Sequence, residues 1–599
     1  MKKDIRHLDL NTPDGAQLNM DALYQIAPSA SPLPASLSPA LLRSPIINSK
    51  LLINLSCIMK QRLLTLFTAL VFSILIVNAD VQREVWIKES CYSLDKNTHT
   101  ACFTKGGILN TMTGEVAIPS EVEYEGENYV VTKIGYNAFN FNSDITSVVI
   151  PETITSIGEF AFLCCENLAK LQIPKSVSSI GNGFCMSCEK LLSIDVADDN
   201  QYFCEVNGVL YNKDKSLLHS FPAGKSGEFV ISGDVTKIGD YAFASCHKLT
   251  ALIIPGSVTR IGNNAVECCN GIESVSIDGF IEDTGLCTFT SCPNLKSVHI
   301  KSLSDWSRIS FGNEASNPLC NNADLYLNGE KVTKLVIPDD VTRIGGFSFY
   351  NCRSIESVVI SNSVKEICGY AFCNCRTLTS VDFQNAETTI GSSAFEYCTA
   401  LASLVISNSV KAIKDHAFCY CSNLQSVDIG NSVTDIEMQA FLYCDKLTNV
   451  TIGSSVKFLE DAFQYCPCLS TVICKAENVP TATIDCFLES NLPNASLYVP
   501  GASLLAYKSA EPWKNFGSIF AITNTKIQSH EKDDVEIRSS NGFINISGLD
   551  TNERVDFYAT DGKTLGSAKS IEGKVSFSAQ QGTVVVAKIG NESIKIFTN

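Results

Sequence analysis

The sequence predicts a β-rich solenoid of right-handed stacked coils with a 23-residue period, followed by a small C-terminal β-sandwich. Three observations predict it: a cysteine that recurs every 23 residues, an apolar residue three positions before each of those cysteines, and a change to short alternating strands after Thr523.

The cysteine period comes first. The blocks IPETITSIGEFAFLCCENLAKL, IPGSVTRIGNNAVECCNGIESV, IPDDVTRIGGFSFYNCRSIESV, ISNSVKEICGYAFCNCRTLTSV and ISNSVKAIKDHAFCYCSNLQSV share the frame I-P-x-x-V-x-x-I-G-x-x-A-F-x-x-C-x-x-L-x-S-V. One column holds Cys165 and Cys188, then Cys246, Cys269 and Cys292, then Cys352, Cys375, Cys398, Cys421 and Cys444; every step within a group is 23 residues, and Cys466 follows after 22. The two wider steps, 58 and 60 residues, equal one coil plus 35 or 37 residues. They predict two variant units, at about 196–233 and 299–338, that interrupt the array without ending it.

Three residues before the ladder stand Phe162, Phe243, Phe289, Phe349, Phe372, Phe395, Phe418, Phe441 and Phe463, with Cys185 and Val266 taking that place once each. A unit this short cannot bury its own apolar face. Leu378, Val381 and Phe383 point inward, and Asp382 between the last two points out, a strand pattern of period two. Stacking on neighbouring units supplies the missing half of the core. At a strand spacing of ~4.8 Å, about fifteen coils make a body on the order of 70 Å long, an extended surface rather than a pocket.

The flanks are distinct. Residues 80–130, containing CYSLDKNTHTACFT, suit an N-terminal cap over the open end of the first coil, and the solenoid spans 131–523. Residues 524–534 form a polar connection. Residues 535–599 carry the strands VEIRSS, GFINISG, ERVDFYATDGK, GKVSFSA, GTVVVAKIG and ESIKIFTN, with turns at Asp561-Gly562 and Gly590-Asn591, and predict the sandwich.

An export signal precedes the cap. Lys60 and Arg62 form a basic start, Leu63 to Val77 is an apolar run of fifteen, and Val77-Asn78-Ala79 offers small residues for cleavage, which gives a signal peptide at 59–79. The run is shorter than the ~20 apolar residues of a usual membrane-spanning helix. Residues 1–58 are either untranslated sequence upstream of a true start at Met59 or a disordered leader rich in Ser, Pro and Ala. No lipid anchor is expected, because Asp80 follows Ala79 and the next cysteine is Cys91. Residues 1–79 hold seven Lys/Arg and four Asp/Glu, so their removal takes the formal charge from -17 to about -20. An acidic body excludes nucleic acid and repels anionic membranes.

The chemistry-bearing residues are weighed against the repeat. The structural ladder Cys352, Cys375, Cys398, Cys421 and Cys444 points inward, where cysteine acts as a small hydrophobe, and stacked parallel thiols are poorly oriented for a disulfide. Cys91 and Cys102 in the cap are the pair for which a bridge is considered. Cys185-Met-Ser-Cys188 spells C-x-x-C, yet both cysteines fill repeat columns. Seven scattered histidines give neither a zinc cluster nor a nucleophile with its base, so no catalytic, metal or cofactor site is expected.

The strand Leu-x-Ser-Val-x-Ile leaves two outward columns. One holds Ser147, Ser193, Ser274, Ser297, Ser357, Ser380, Ser403 and Ser426; the other holds Val149, Gln172, Asp195, Ile253, His299, Val359, Asp382, Val405, Asp428 and Thr451. Ser357, Ser380, Asp382, Ser403, Ser426 and Asp428 are the candidate ligand face, because solenoids bind on extended surfaces and small residues allow close approach. Plain solvation and strand packing explain the same columns equally well. Trp306 and Tyr326, in the second variant unit, are expected to be exposed aromatics and lesser candidates.

In its repeat frame, its interruptions LYNKDK and NPLCNNADLYLNG, and its closing LYVPGASLLAYKSAEPWKNF, the stretch from Val116 to Ile522 resembles the BspA-like leucine-rich-repeat surface proteins. The resemblance implies a leucine-rich-repeat solenoid at a bacterial cell surface or secreted, without chemistry, that adheres to a host extracellular-matrix or cell-surface protein or to another microbe. The alternative is a surface protein that captures carbohydrate or nutrients, which calls for aromatic platforms that the two columns scarcely offer. An enzyme seated in the C-terminal unit is a third reading, against which stands the absence of His and Cys there. That unit resembles C-terminal domains of Bacteroidetes proteins, some of which are sorting signals; their Gly-x-Tyr-x-Val core reads Gly582-Thr-Val-Val-Val here, without the tyrosine.

Overall fold

The computed structural model describes residues 84–106, 112–522, 536–540, 542–559, 563–580, 583–589 and 592–598. The leader, the signal peptide, the connection at 524–534, Gly582 and the turns Asp561-Gly562 and Gly590-Asn591 lie outside the described residues.

Each coil makes three runs. In a main strand such as Ser403–Ile406, the period of two sends Leu404 and Ile406 inward and Ser403 and Val405 outward. It pairs in parallel and in register with the next coil, Ser403 with Ser426 and Val405 with Asp428. A two-residue strand follows, Ala412–Ile413 in this coil, and these short strands form an unbroken seven-stranded ladder from Arg343–Ile344 to Thr481–Ala482. An arc of overlapping turns completes the coil. From 391 to 398 the N–H groups of Ala394, Glu396 and Cys398 each donate to the carbonyl three residues back, at 3.2 Å.

The arcs explain why turns can stack like strands. Ser393 and Tyr397 hold φ of 55° and 59°. Alternation with right-handed neighbours turns every second N–H along the stacking axis, so Ser393, Phe395 and Tyr397 donate to Asp415, Ala417 and Cys419 of the next coil at 2.8, 2.8 and 2.9 Å. The left-handed region costs a residue with a side chain on the order of 1–3 kcal/mol, which these inter-coil bonds offset.

The core behind the arcs is a pair of ladders. Phe349, Phe372, Phe395, Phe418, Phe441 and Phe463 stack nearly parallel at 5.1–5.3 Å between centroids. The ladder cysteines are at most 1% exposed. Cys375, Cys398, Cys421 and Cys444 donate their thiols to the carbonyls of Phe349, Phe372, Phe395 and Phe418 at 3.1, 3.3, 3.4 and 3.5 Å. Cys352 instead meets the Ser354 hydroxyl at 3.4 Å. The position therefore suits a small apolar side chain with one weak donor.

The ends and the variant units depart from the repeat. Three antiparallel strands, Glu84–Ile87, Ser90–Asp95 and Thr100–Gly106, open the described chain, and the third pairs in parallel with Glu127–Ile134. Cys91 sits opposite Lys105 and Cys102 opposite Ser93, so these thiols do not meet and both are free. In the second variant unit the helix Leu303–Arg308 is capped by Ser302, whose hydroxyl accepts the Asp305 N–H at 3.1 Å. Trp306 is 1% exposed, which corrects the expectation of an exposed aromatic. The helix turns its ring into the core, 5.4 Å from that of Phe311.

The C-terminal part forms two antiparallel sheets of three and four strands. Ile544, Val555, Phe557 and Val585 are buried between them, and Phe557 stacks on Phe577 at 3.9 Å.

Candidate functional site

The main strand run brings the six candidate ligand residues onto its outward side. Ser357 pairs with Ser380 and Val359 with Asp382; Ser403 pairs with Ser426 and Val405 with Asp428. Ser380, Asp382, Ser403 and Asp428 are exposed, and Ser357 and Ser426 are half-buried. The six do not share one hydrogen-bonded sheet. The three-stranded ladder ends at Ser380–Asp382, and a six-stranded ladder begins at Ser403–Ile406.

This interruption falls inside an unvaried 23-residue step, next to a change in the repeat. Phe383 stands where other coils place Ile360, Ile406 or Ile429, and its ring turns edge-on to Phe395 at 6.1 Å. After the strand the Asp382 carboxylate accepts the Gln384 N–H at 2.8 Å, and Gln384 has φ of 43°.

Beyond that break the second outward column continues further than the repeat frame indicated. Val405, Asp428, Thr451, Ile473, Tyr498 and Phe520 are register partners in succession across six strands. The rings of Tyr498 and Phe520 lie 5.4 Å apart. Nearer the N-terminus, Ile253, Ser276, His299 and Tyr326 form the same column, and His299 stacks on Tyr326 at 5.0 Å. Tyr326 is half-buried. Aromatics are thus present on the face, at the ends of its ladders, where Tyr498 and Phe520 follow coils that have left the frame I-P-x-x-V and escape an alignment on it.

Electrostatics on the face are sparse. Asp428 is exposed to solvent, yet the surrounding strands exclude water from part of its shell and lift its carboxyl above the usual range, with Lys475 opposing in part. A second aromatic row lies on the arcs: Tyr397, Tyr420, Tyr443 and Tyr465, half-buried, stack at 4.6, 4.9 and 4.7 Å. Burial pushes the Tyr420 hydroxyl up to about 12. Each occupies the position just before a ladder cysteine, a column legible in the sequence as the Y of the segment YC.

Burial keeps most of the ladder thiols protonated. Burial pushes Cys165, Cys421 and Cys185 up to about 12 and raises Cys188 as well, which disfavours the thiolate that C-x-x-C redox chemistry needs. Among the described residues no group of three His, Cys, Asp or Glu is placed to hold a metal ion. No described helix is long and apolar enough to cross a membrane.

Several solved structures are similar to the chain. The chain is similar to a leucine rich cell surface protein from Faecalibacterium prausnitzii, with 24% identity over 66% of this chain and 95% of that one and a TM-score of 0.39. A leucine-rich repeat protein from Bacteroides ovatus shows 23% identity, 73% and 99% coverage and a TM-score of 0.42. The pneumococcal vaccine antigen PcpA shows 13% identity, 74% and 99% coverage and a TM-score of 0.38. No curated protein matches. The family model for the BspA type leucine rich repeat region, in six copies, matches residues 122–206, 219–317, 322–418 and 388–501. That is more than half of the 599 residues, and with the observed 23-residue coils it makes the chain a member of the BspA type leucine-rich-repeat family.

Proposed function

We propose that this chain is a non-catalytic adhesion protein, exported to the cell surface or secreted, that holds a protein ligand on the outward face of its main strands. The observation that carries the reading is the continuous column from Val405 to Phe520, flanked in register by Ser403, Ser426, Asn449, Thr471, Ser496 and Ser518. Val405, Tyr498 and Phe520 offer ring and aliphatic surface along this mixed column, and small polar side chains edge it, as protein interfaces combine aromatic anchors with a polar rim. The partner class is a host extracellular-matrix or cell-surface protein, or a surface protein of another microbe.

The test is surface plasmon resonance of the full chain over immobilised fibronectin, fibrinogen, collagen and mucin, against a Ser403→Lys/Val405→Glu/Ser426→Lys variant. Saturable binding to one surface, lost in the variant, is the expected result. Undiminished binding by the variant overturns the assignment to this face, and silence on all four surfaces overturns matrix adhesion.

A further inference from the structure

At the N-terminal end of the stack a cleft of about 360 Å³ lies between the strand Thr100–Gly106 and the first arc, residues 136–142. Asn142 stands 23 residues before Cys165, in the ladder position. Later coils place there a thiol bonded to a carbonyl behind it. Here an amide, 1% exposed, lines the cleft with its Oδ1 lacking any partner. The same holds for Oδ1 of Asn137 and Asn140 and for Oγ1 of Thr104 across the cleft. Four of the eleven unpartnered buried side-chain atoms among the described residues thus gather at one place. Unsatisfied polar groups scattered by imperfect packing would not converge on a single cleft.

The backbone adds acceptors. In the second arc the carbonyls of Glu159, Ala161 and Leu163 receive the N–H groups of Asn137, Phe139 and Phe141. The matching carbonyls of Tyr136, Ala138 and Asn140 have no arc before them and receive no hydrogen bond from a described residue. The row arises because the first arc faces the cap strand Thr100–Gly106 instead of another arc.

The chemistry narrows the ligand. Among the described residues Lys105 lines the cleft and no carboxylate does, which disfavours a metal cation. Acceptors outnumber that single ammonium, which disfavours a phosphate or carboxylate. A hydroxyl both donates and accepts, as a primary amide does, and the last torsion of asparagine is soft enough to turn the amides toward a ligand. Tyr136 and Phe141, 63% and 61% exposed, flank the opening with apolar ring surface. Convergent amides with aromatic walls suit a neutral sugar ring, which presents hydroxyls on its edge and C–H groups on its face.

We propose that this cleft binds a saccharide unit, the terminal residue of a neutral glycan. It is separate from the strand face and does not rest on the adhesion reading.

The test is saturation-transfer difference NMR of the full chain with the methyl glycosides of glucose, galactose, mannose, fucose and N-acetylglucosamine. The variant Asn140→Leu/Asn142→Cys gives the first arc the residues that the second holds at Leu163 and Cys165, so it keeps the repeat's own packing. Tyr136→Ala removes a largely exposed ring whose one ring contact is edge-on to Phe160 at 6.0 Å, and Ser403→Lys/Ser426→Lys serves as the control. Binding of at least one glycoside, weakened about tenfold or more in Asn140→Leu/Asn142→Cys and in Tyr136→Ala but equal in the control, is the expected result. Absence of transfer to every glycoside, or equal transfer in wild type and Tyr136→Ala, overturns the proposal and leaves ordinary water as the partner of these oxygens.

Discussion

The thiol of Cys398 donates to the carbonyl of Phe372, one coil earlier, at 3.3 Å, and that carbonyl also accepts the backbone N–H of Cys375. One acceptor therefore closes a turn within its own coil and ties down the coil above. Cys398→Ala removes the upper tie and opens a void, but leaves the carbonyl bonded. We expect a loss of about 1–2 kcal/mol in denaturant unfolding, with Cys398→Ser milder because its hydroxyl still reaches the carbonyl. A serine variant as damaged as the alanine would show that packing alone sets the cysteine column.

The neighbouring phenylalanine carries more. Phe395 is fully buried between Phe372 and Phe418, at 5.1 and 5.3 Å. Truncation to alanine removes a ring with two stacking partners, and the two backbones are fixed by arc hydrogen bonds and cannot collapse into the gap. A cost of about 3–5 kcal/mol is expected by calorimetry or urea titration, against a fraction of that for Tyr397→Ala at the arc surface.

Thiol reactivity separates the columns. Cys468 is exposed, whereas burial pushes Cys421 and Cys466 up to about 12. Brief alkylation of native protein at about pH 8, read by peptide mass spectrometry, should mark Cys468 and leave the ladder unmodified until denaturant is added. Native labelling of Cys421 would contradict a closed core.

His219 makes stability depend on pH. Its Nε2 meets the Ile180 carbonyl at 3.1 Å and its Nδ1 the Ser220 hydroxyl at 3.2 Å, with the rings of Phe184 and Phe203 about it. Burial lowers its pKa below the usual 6.5, and the bond to Ile180 offsets that only in part. Below about pH 6.5 the unfolded chain takes up a proton that the folded chain refuses, so this contribution is whole above that pH and falls as pH drops toward the folded value. His219→Gln should unfold with a shallower loss of stability between about pH 7 and pH 5 than wild type. Parallel slopes would remove His219 from the acid response.

The period, the inward cysteines and phenylalanines and the outward serines were legible because each coil repeats the same environment, so one residue type recurs at 23-residue steps. Legibility fails where the environment changes. Trp306 reads as exposed because no repeat frame covers it, and only the capped helix shows its ring turned inward. Phe383 looks like any inward residue, yet the ladder of main strands breaks beside it and splits the candidate face. Asn142 lies on the cysteine column, but a column begun at Cys165 misses the one position whose neighbour is a cap. Tyr498 and Phe520 join the face through strand register, which sequence spacing does not supply once the period lapses.

The arc-to-arc hydrogen bonds also give the protein a mechanical character. The bonds of Ser393, Phe395 and Tyr397 run along the stacking axis. A pull on the chain end concentrates load on the terminal coil, which has a neighbour on one side only, so coils detach one after another from that end. Each 23-residue coil that peels away releases about 75 Å of extended chain while shortening the stack by ~4.8 Å. A tether built this way lengthens stepwise under tension, and the coils still stacked keep their faces intact.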